Sequence, residues 1–230
     1  MKPNLLSWEE TLFRDQDVFD LNYVPEQFDY RDDQTQSLVF AIRPGIKGGK
    51  ILDTVCRGPP GTGKTTSVKK IFDSLRETTQ AILPIHVNCR IDASEYAVST
   101  RIYTSLTKRG PPPSGTSVKQ LIDMIARFVE QEQIQPLVCL DDANYLIYEN
   151  QFNKVLYPLL RMHEVFPGIN FGLIIIISDP GIDLQNSLEV RVQSTFHPEI
   201  IQYPPYSARE IAGILNERVK QGLYPHVLPT

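Results

Sequence analysis

The chain has no apolar run long enough to cross a membrane as a helix. The longest, Phe171 to Ile177, is of strand length. It lacks an opening stretch of basic residues followed by apolar ones, so no secretory signal is expected. Cysteine is scarce. Cys56, Cys89 and Cys139 lie in three separate apolar runs, without the paired spacing of metal ligands or the even number of a disulfide framework. Reduced core thiols in an intracellular protein fit that pattern. The histidines, His86, His163, His197 and His226, are scattered and form no ligand pattern. An excess of positive charge is missing too: the formal net charge is −4. General binders of the phosphate backbone are basic, so charge alone supports no nucleic-acid function, although it leaves room for a local basic patch. There is no internal repeat and no low-complexity tract.

What is present is ordinary globular composition, 41% hydrophobic and 22% charged over 230 residues. That length suffices for one sizeable α/β core and the start of a smaller unit. Residues 1–33 are polar with scattered aromatics and read as an extended arm with short turns. A helix is expected over Gln34–Ile46. Five strand-like runs follow: Ile51–Arg57, Ile82–Cys89, Leu137–Leu140, Phe171–Ile177 and Ile200–Tyr203. Helical periodicity separates them at Lys64–Thr78, Ser94–Thr107, Ser117–Gln131 and Gln151–Val165. Alternating strands and helices predict a parallel sheet covered on both faces. Pro111–Pro113 with Gly115 reads as a linker or turn between the two middle helices. A last helix is expected over Ser207–Gln221, with Ser207 as its N-cap.

Gly58-Pro59-Pro60-Gly61-Thr62-Gly63-Lys64-Thr65 fits G-x-x-x-x-G-K-[ST], with a strand before it and a helix after it. The chemistry needs these residue types. Gly61 and Gly63 let the loop from Pro60 to Thr66 turn the N–H groups that follow Pro60 inward and approach phosphates closely. Those groups sit at the positive end of the following helix. Lys64 adds a cation for the β- and γ-phosphates, and the Thr65 hydroxyl suits a magnesium shell. The buried-strand run Leu137–Leu140 ends in Asp141-Asp142. At such a strand end one acid, here Asp141, holds the metal shell. Its neighbour, Asp142, can orient and deprotonate an attacking water. One strand-like run falls between the phosphate loop and Asp141 in sequence, which suits the subclass with an extra strand between the two.

Together these pieces resemble the archaeal and eukaryotic replication-origin initiator ATPases of the AAA+ superfamily, relatives of the origin recognition complex and its loading partner. Leu21-Asn22-Tyr23-Val24-Pro25-Glu26 with Tyr30-Arg31 resembles the family's N-terminal signature. Val87-Asn88-Cys89 resembles its second strand, and Leu140 to Leu146 its acidic motif. Arg191-Val192-Gln193-Ser194 resembles the arginine-bearing segment, and Tyr203 to Tyr206 with Ile214, Leu215 and Arg218 the entry to the lid. The resemblance implies an α/β P-loop AAA+ three-layer sandwich with a five-stranded parallel sheet over 34–205, followed by the start of a helical lid over 206–230. It implies ATP or ADP with Mg²⁺ as cofactors. Val24, Pro25 and Arg31 would border the adenine, and Tyr206 and Arg218 would close over the nucleotide. Arg191 would reach a neighbouring subunit's γ-phosphate, a surface arginine being the alternative. Ser178 falls where a sensor asparagine is usual. The implied partners are origin DNA, other initiator subunits or the replicative helicase, with no membrane. The implied location is cytoplasmic, nucleoid-associated in an archaeon and nuclear in a eukaryote.

Three positions depart from the family pattern. Asp142 replaces a glutamate and is one methylene shorter. Ser178 replaces an amide and reaches less far. Thr195 stands where some relatives carry an arginine. All three touch hydrolysis or subunit communication, so tight nucleotide binding with slow turnover is expected. A non-hydrolysing nucleotide switch, or a P-loop helper of helicase loading or transposition, shares the same core. Family members also continue into a full lid and a winged-helix domain. A helix at Ser94–Lys108 with Arg101 and Lys108 is the candidate DNA-touching element, a solvated face being the alternative.

Overall fold

A computed structural model describes residues 12–20, 23–25 and 29–225. Leu21, Asn22 and Glu26 of the N-terminal signature, and His226, lie outside the described residues. The chain divides into two compact units, one over Arg31–Pro205 and one built from the described residues up to Tyr30 and from Tyr206 onward.

In the first unit the order is α1 (Asp32–Ile46), β1 (Thr54–Arg57), α2 (Lys64–Thr78), β2 (Ile82–Asn88), α3 (Glu95–Thr107) and α4 (Val118–Glu132). Then come β3 (Gln135–Asp141), α5 (Asn144–Tyr148), α6 (Phe152–Leu160), α7 (Met162–Val165), β4 (Gly172–Ile177), α8 (Leu184–Ser187), α9 (Val190–Gln193) and β5 (Glu199–Gln202). The five strands form one sheet in the order β2-β3-β4-β1-β5. Every pair is parallel.

The strands are apolar along their length because both faces are covered. Alternate residues feed two cores. Val55, Val87, Val138, Leu140 and Ile175 face the helices α3, α4 and α6. Cys56, Cys139, Ile174 and Ile176 face Leu38 and Ile42 of α1 and Val68 and Phe72 of α2. The result is three layers. All three cysteines are free and buried. Burial pushes the Cys56 thiol up to about 12 and raises the other two as well, so none is poised as a thiolate. Serine hydroxyls set two helix starts in this unit. Ser94 accepts from the Ala97 amide, and Ser117 forms a reciprocal capping box with Gln120.

Three departures from the sequence reading have local causes. The first strand begins at Thr54, not Ile51. Ile51 instead plugs a notch between α1 and β4, where a Cβ on Gly45 would meet its Cγ1 at 2.4 Å and a Cβ on Gly172 its Cγ2 at 2.7 Å. The Leu52 amide meanwhile donates to the Ala41 carbonyl. The expected helix Gln151–Val165 breaks at Arg161 into α6 and α7. The helices α5, α8 and α9 span four or five residues, too short to show a period.

In the second unit, α10 (Ala208–Gly222) starts at a capping box between Ser207 and Glu210. A 3-10 turn at Asp17–Phe19 belongs to the same unit. Arg218 donates to the Val18 carbonyl at 3.0 Å, and its guanidinium lies 5.5 Å from the Tyr23 ring centre. The Tyr23 hydroxyl donates to Gln221 at 3.0 Å. Gly213 and Gly222 have no side chain where one would strike Tyr30 and Phe19.

Two expectations follow. Replacing Gly172 by alanine overpacks the Ile51 notch and should cost about 1–3 kcal/mol in urea unfolding. The cost should shrink in an Ile51→Ala background, because the two sites share one contact. The second concerns Asp53, which is buried and accepts the Leu173 amide at 3.2 Å. Burial pushes its carboxyl up to about 6, against the pull of Lys50 and of that amide. A raised acid pKa means that the native state holds the proton more tightly than the unfolded chain. Its stabilising contribution is therefore present at low pH and is lost as pH rises from 3.8 to about 6. Across that window, unfolding should show the stability of Asp53→Asn gaining on the parent by on the order of 3 kcal/mol.

A candidate nucleotide-binding site

The β1 strand ends at Arg57, and the chain crosses Gly58 to Gly63 before entering α2. Gly61 and Gly63 take positive φ values of 75° and 88°, a conformation that a side chain would strain. Gly58 passes so close to the Tyr203 carbonyl that a Cβ would lie 2.1 Å from that oxygen. Gly63 caps α2 without a side-chain acceptor, and no acid occupies the first turn. The first amides of α2 are thus left for a ligand, at a helix end that favours negative charge.

Lys64 is buried and donates to the carbonyls of Gly58 at 2.8 Å and Pro59 at 2.7 Å, and to the Thr62 hydroxyl at 3.4 Å. Burial pulls its ammonium below the ordinary lysine range, while Asp142 and Asp141 push the other way. Thr62 donates to the Pro59 carbonyl at 2.9 Å, closing the loop on itself. Thr66 is half-buried in the first turn and Pro60 is exposed at the loop's tip. Arg31, buried just before α1, braces the loop from outside. Its Nε donates to the Thr62 carbonyl at 2.8 Å and an Nη to the Pro204 carbonyl at 2.7 Å.

The strand order brings the acids to this loop. In space the strand between β1 and β3 is β4, while β2, which intervenes in sequence, forms the edge. Asp141 ends β3, and its Oδ1 accepts the Thr65 hydroxyl at 3.1 Å. Its Oδ2 lies 2.9 Å from His86 Nε2. Asp142 follows with a φ of 55° and accepts the Ser178 hydroxyl at 3.1 Å. Ser178 itself stands at the end of β4. Lysine, threonine, two acids and a serine therefore gather at the C-terminal ends of three adjacent strands, where open α/β sheets bind ligands.

Thr65 and Asp141 supply two hard oxygen donors side by side, which fits a magnesium ion. Among the described residues no group of three or more His, Cys, Asp and Glu is placed to hold a metal. Phosphate and water would complete such a shell. Arg191 is exposed on α9, bonded to Glu189 at 2.6 Å, with its guanidinium 4.8 Å from the Tyr157 ring centre. Arg101 is paired with Asp92 at 2.9 Å, and Lys108 caps the C-terminus of α3. Val24, Pro25, Tyr206 and Arg218 belong to the other unit. Nothing local in the sequence marks His86 as a neighbour of Asp141, which stands 55 residues away.

This is the site of a P-loop nucleotide-binding fold. The family model described as "AAA domain" matches residues 53–183, more than half of the chain, and the chain belongs to that family. Within it the chain closely matches archaeal replication proteins. It is 42% identical over 219 residues to "ORC1-type DNA replication protein 3" of Haloarcula marismortui, covering 95% of this chain and 58% of that protein. It is also 42% identical over 225 residues to "ORC1-type DNA replication protein 2" of Methanosarcina acetivorans, covering 98% and 60%. The structure of the Aeropyrum pernix ORC1 protein in complex with DNA superposes with a TM-score of 0.84 at 25% identity, over 96% of this chain and 57% of that one. The chain thus spans less than two thirds of the length of these relatives.

The bracing role of Arg31 can be checked by substitution. Lysine cannot serve two carbonyls from one planar fork. Arg31→Lys should leave one of the two acceptors unpaired, the buried Thr62 carbonyl or the part-buried Pro204 carbonyl, and lower stability by about 1–3 kcal/mol in urea unfolding, with the larger loss if it is Thr62. The exposed Arg43→Lys should leave the curve in place.

Proposed function

We propose that this chain is the ATP-binding module of a DNA replication initiator, binding ATP or ADP with Mg²⁺ and hydrolysing ATP slowly. The observation that carries this reading is the contact between Thr65 and Asp141 beside an uncapped helix start. The amides that follow Pro60, from Gly61 to Thr66, would hold the phosphates, and Lys64 would exchange its loop carbonyls for the β- and γ-phosphate oxygens. The bound ion would draw charge from the phosphates. Asp142 would orient and deprotonate the attacking water, with Ser178 beside it. Arg191 would act on a neighbouring subunit, and its exposure supports that assignment. Val24, Pro25, Tyr206 and Arg218 enter the proposal on the resemblance alone, as does an adenine contact by Arg31.

Nucleotide state would then switch assembly on origin DNA with other initiator subunits or the replicative helicase. The Aeropyrum pernix protein's structure with DNA supports that partner class. Within this chain the pairing of Arg101 with Asp92 gives the candidate DNA-touching helix less free charge. A cytoplasmic protein is the corresponding location.

One observation favours a second reading, a nucleotide switch without turnover. Asp142 is short for a base and is already hydrogen-bonded to Ser178. A misplacement of about 1 Å is enough to cost on the order of 10²-fold in rate. Nucleotide binding and phosphate release by the purified chain separate the two readings. Lys64→Ala should weaken binding by about 10–100-fold, the size of a lost charge-assisted contact. Asp142→Asn should keep affinity and abolish a slow, Mg²⁺-dependent release. Binding without release in the parent chain would select the switch, and no binding would overturn both.

A further inference from the structure

We propose that His86 is a positioning residue for the divalent cation, locking the Asp141 carboxylate in the orientation that leaves Oδ1 to Thr65 and the ion. The inference rests on the nucleotide–Mg²⁺ reading above. Its basis is the register of β2 on β3. His86 lies opposite Cys139, and Asn88 opposite Asp141. Ile85 and Val87 are buried in the core under α3 and α4, so His86 between them points to the other face, where Cys139 and α2 lie. On that face the diagonal neighbour of His86, one residue pair further on, is Asp141. The imidazole reaches it: Nε2 is 2.9 Å from Oδ2. A carboxylate only accepts, so Nε2 carries the hydrogen and donates.

Each carboxylate oxygen therefore has its own donor, Thr65 on Oδ1 and His86 on Oδ2. The main chain is held as well, because the Asp141 carbonyl accepts the Cys89 amide at 2.8 Å. With His86 in place the carboxylate cannot turn its Oδ1 away from Thr65 without breaking a bond. Without it, only the threonine, which must itself turn to an incoming ion, would orient the group. Partners of this kind behind a metal ligand commonly set affinity by about 10–100-fold. His86 faces the carboxylate oxygen turned away from Thr65, so its loss should weaken the ion and leave the phosphate loop intact.

The test follows binding of a fluorescent N-methylanthraniloyl ADP to the purified chain, in EDTA and across a Mg²⁺ titration. Mn²⁺ binding to the ADP-loaded protein is read by electron paramagnetic resonance. In His86→Phe the half-saturating Mg²⁺ and Mn²⁺ concentrations should rise by about 10–100-fold, with affinity in EDTA unchanged. His86→Gln, whose amide nitrogen reaches the place of Nε2, should recover most of the loss. Should His86→Phe fail to fold, His86→Asn, whose amide is too short, is read in its place. An unchanged Mg²⁺ dependence alongside normal ADP binding would overturn the role of His86 alone. So would an equal loss of affinity in EDTA, which marks a packing residue. A parent chain that binds no ADP would overturn the reading of the site itself.

Discussion

Parallel pairing of β4 between β1 and β3 determines where each polar group of the site stands. Adjacent strands in a sheet lie roughly 4.8 Å apart. The loop after β1, Ser178 after β4 and the acids at the end of β3 are therefore lined up at the C-terminal ends of the strands with little freedom. Thr65 meets Asp141 and Ser178 meets Asp142 because of that spacing. The register is held by cores on both faces, since a slip of one residue would turn Ile174 and Ile176 away from α1 and α2.

The phosphate loop illustrates a second constraint, that conformations unfavourable alone persist only when surroundings hold them. Gly61 and Gly63 remove the steric cost of positive φ, but Asp142 adopts φ 55° with a side chain. It is held there by the Ser178 hydroxyl and by the Ala143 amide donating to the Ile176 carbonyl at 2.9 Å. The buried Lys64 is a similar case. Its ammonium is removed from water yet satisfied by loop carbonyls.

Much of this was legible beforehand, for reasons that differ by element. The helix Lys64–Thr78 has in the structure the bounds its sequence predicts, because a glycine precedes it and its apolar stripe is periodic. The runs Ile82–Cys89 and Phe171–Ile177 fell within a residue of β2 and β4, since strands buried on both faces read as continuous apolar stretches. Ile51 misled because a plug between a helix and a strand has the same apolar signature as a strand start. Arg161 gave no warning of a helix break. The phosphate loop and the acid pair were visible because each is local in sequence.

The sequence by itself determined the chemistry available: a glycine-rich loop ending in Lys64 and Thr65, and two adjacent acids after a buried strand. These depend on residue type and on spacings of a few residues, which survive without a fold. Tertiary structure alone decided which strand lies between them, that Arg31 braces Thr62, and that His86 stands behind Asp141. Arg31 and Thr62 are 31 residues apart, and His86 and Asp141 are 55 apart. Contacts at such separations are set by strand order and register, which arise from packing two cores at once and leave no local mark in the chain.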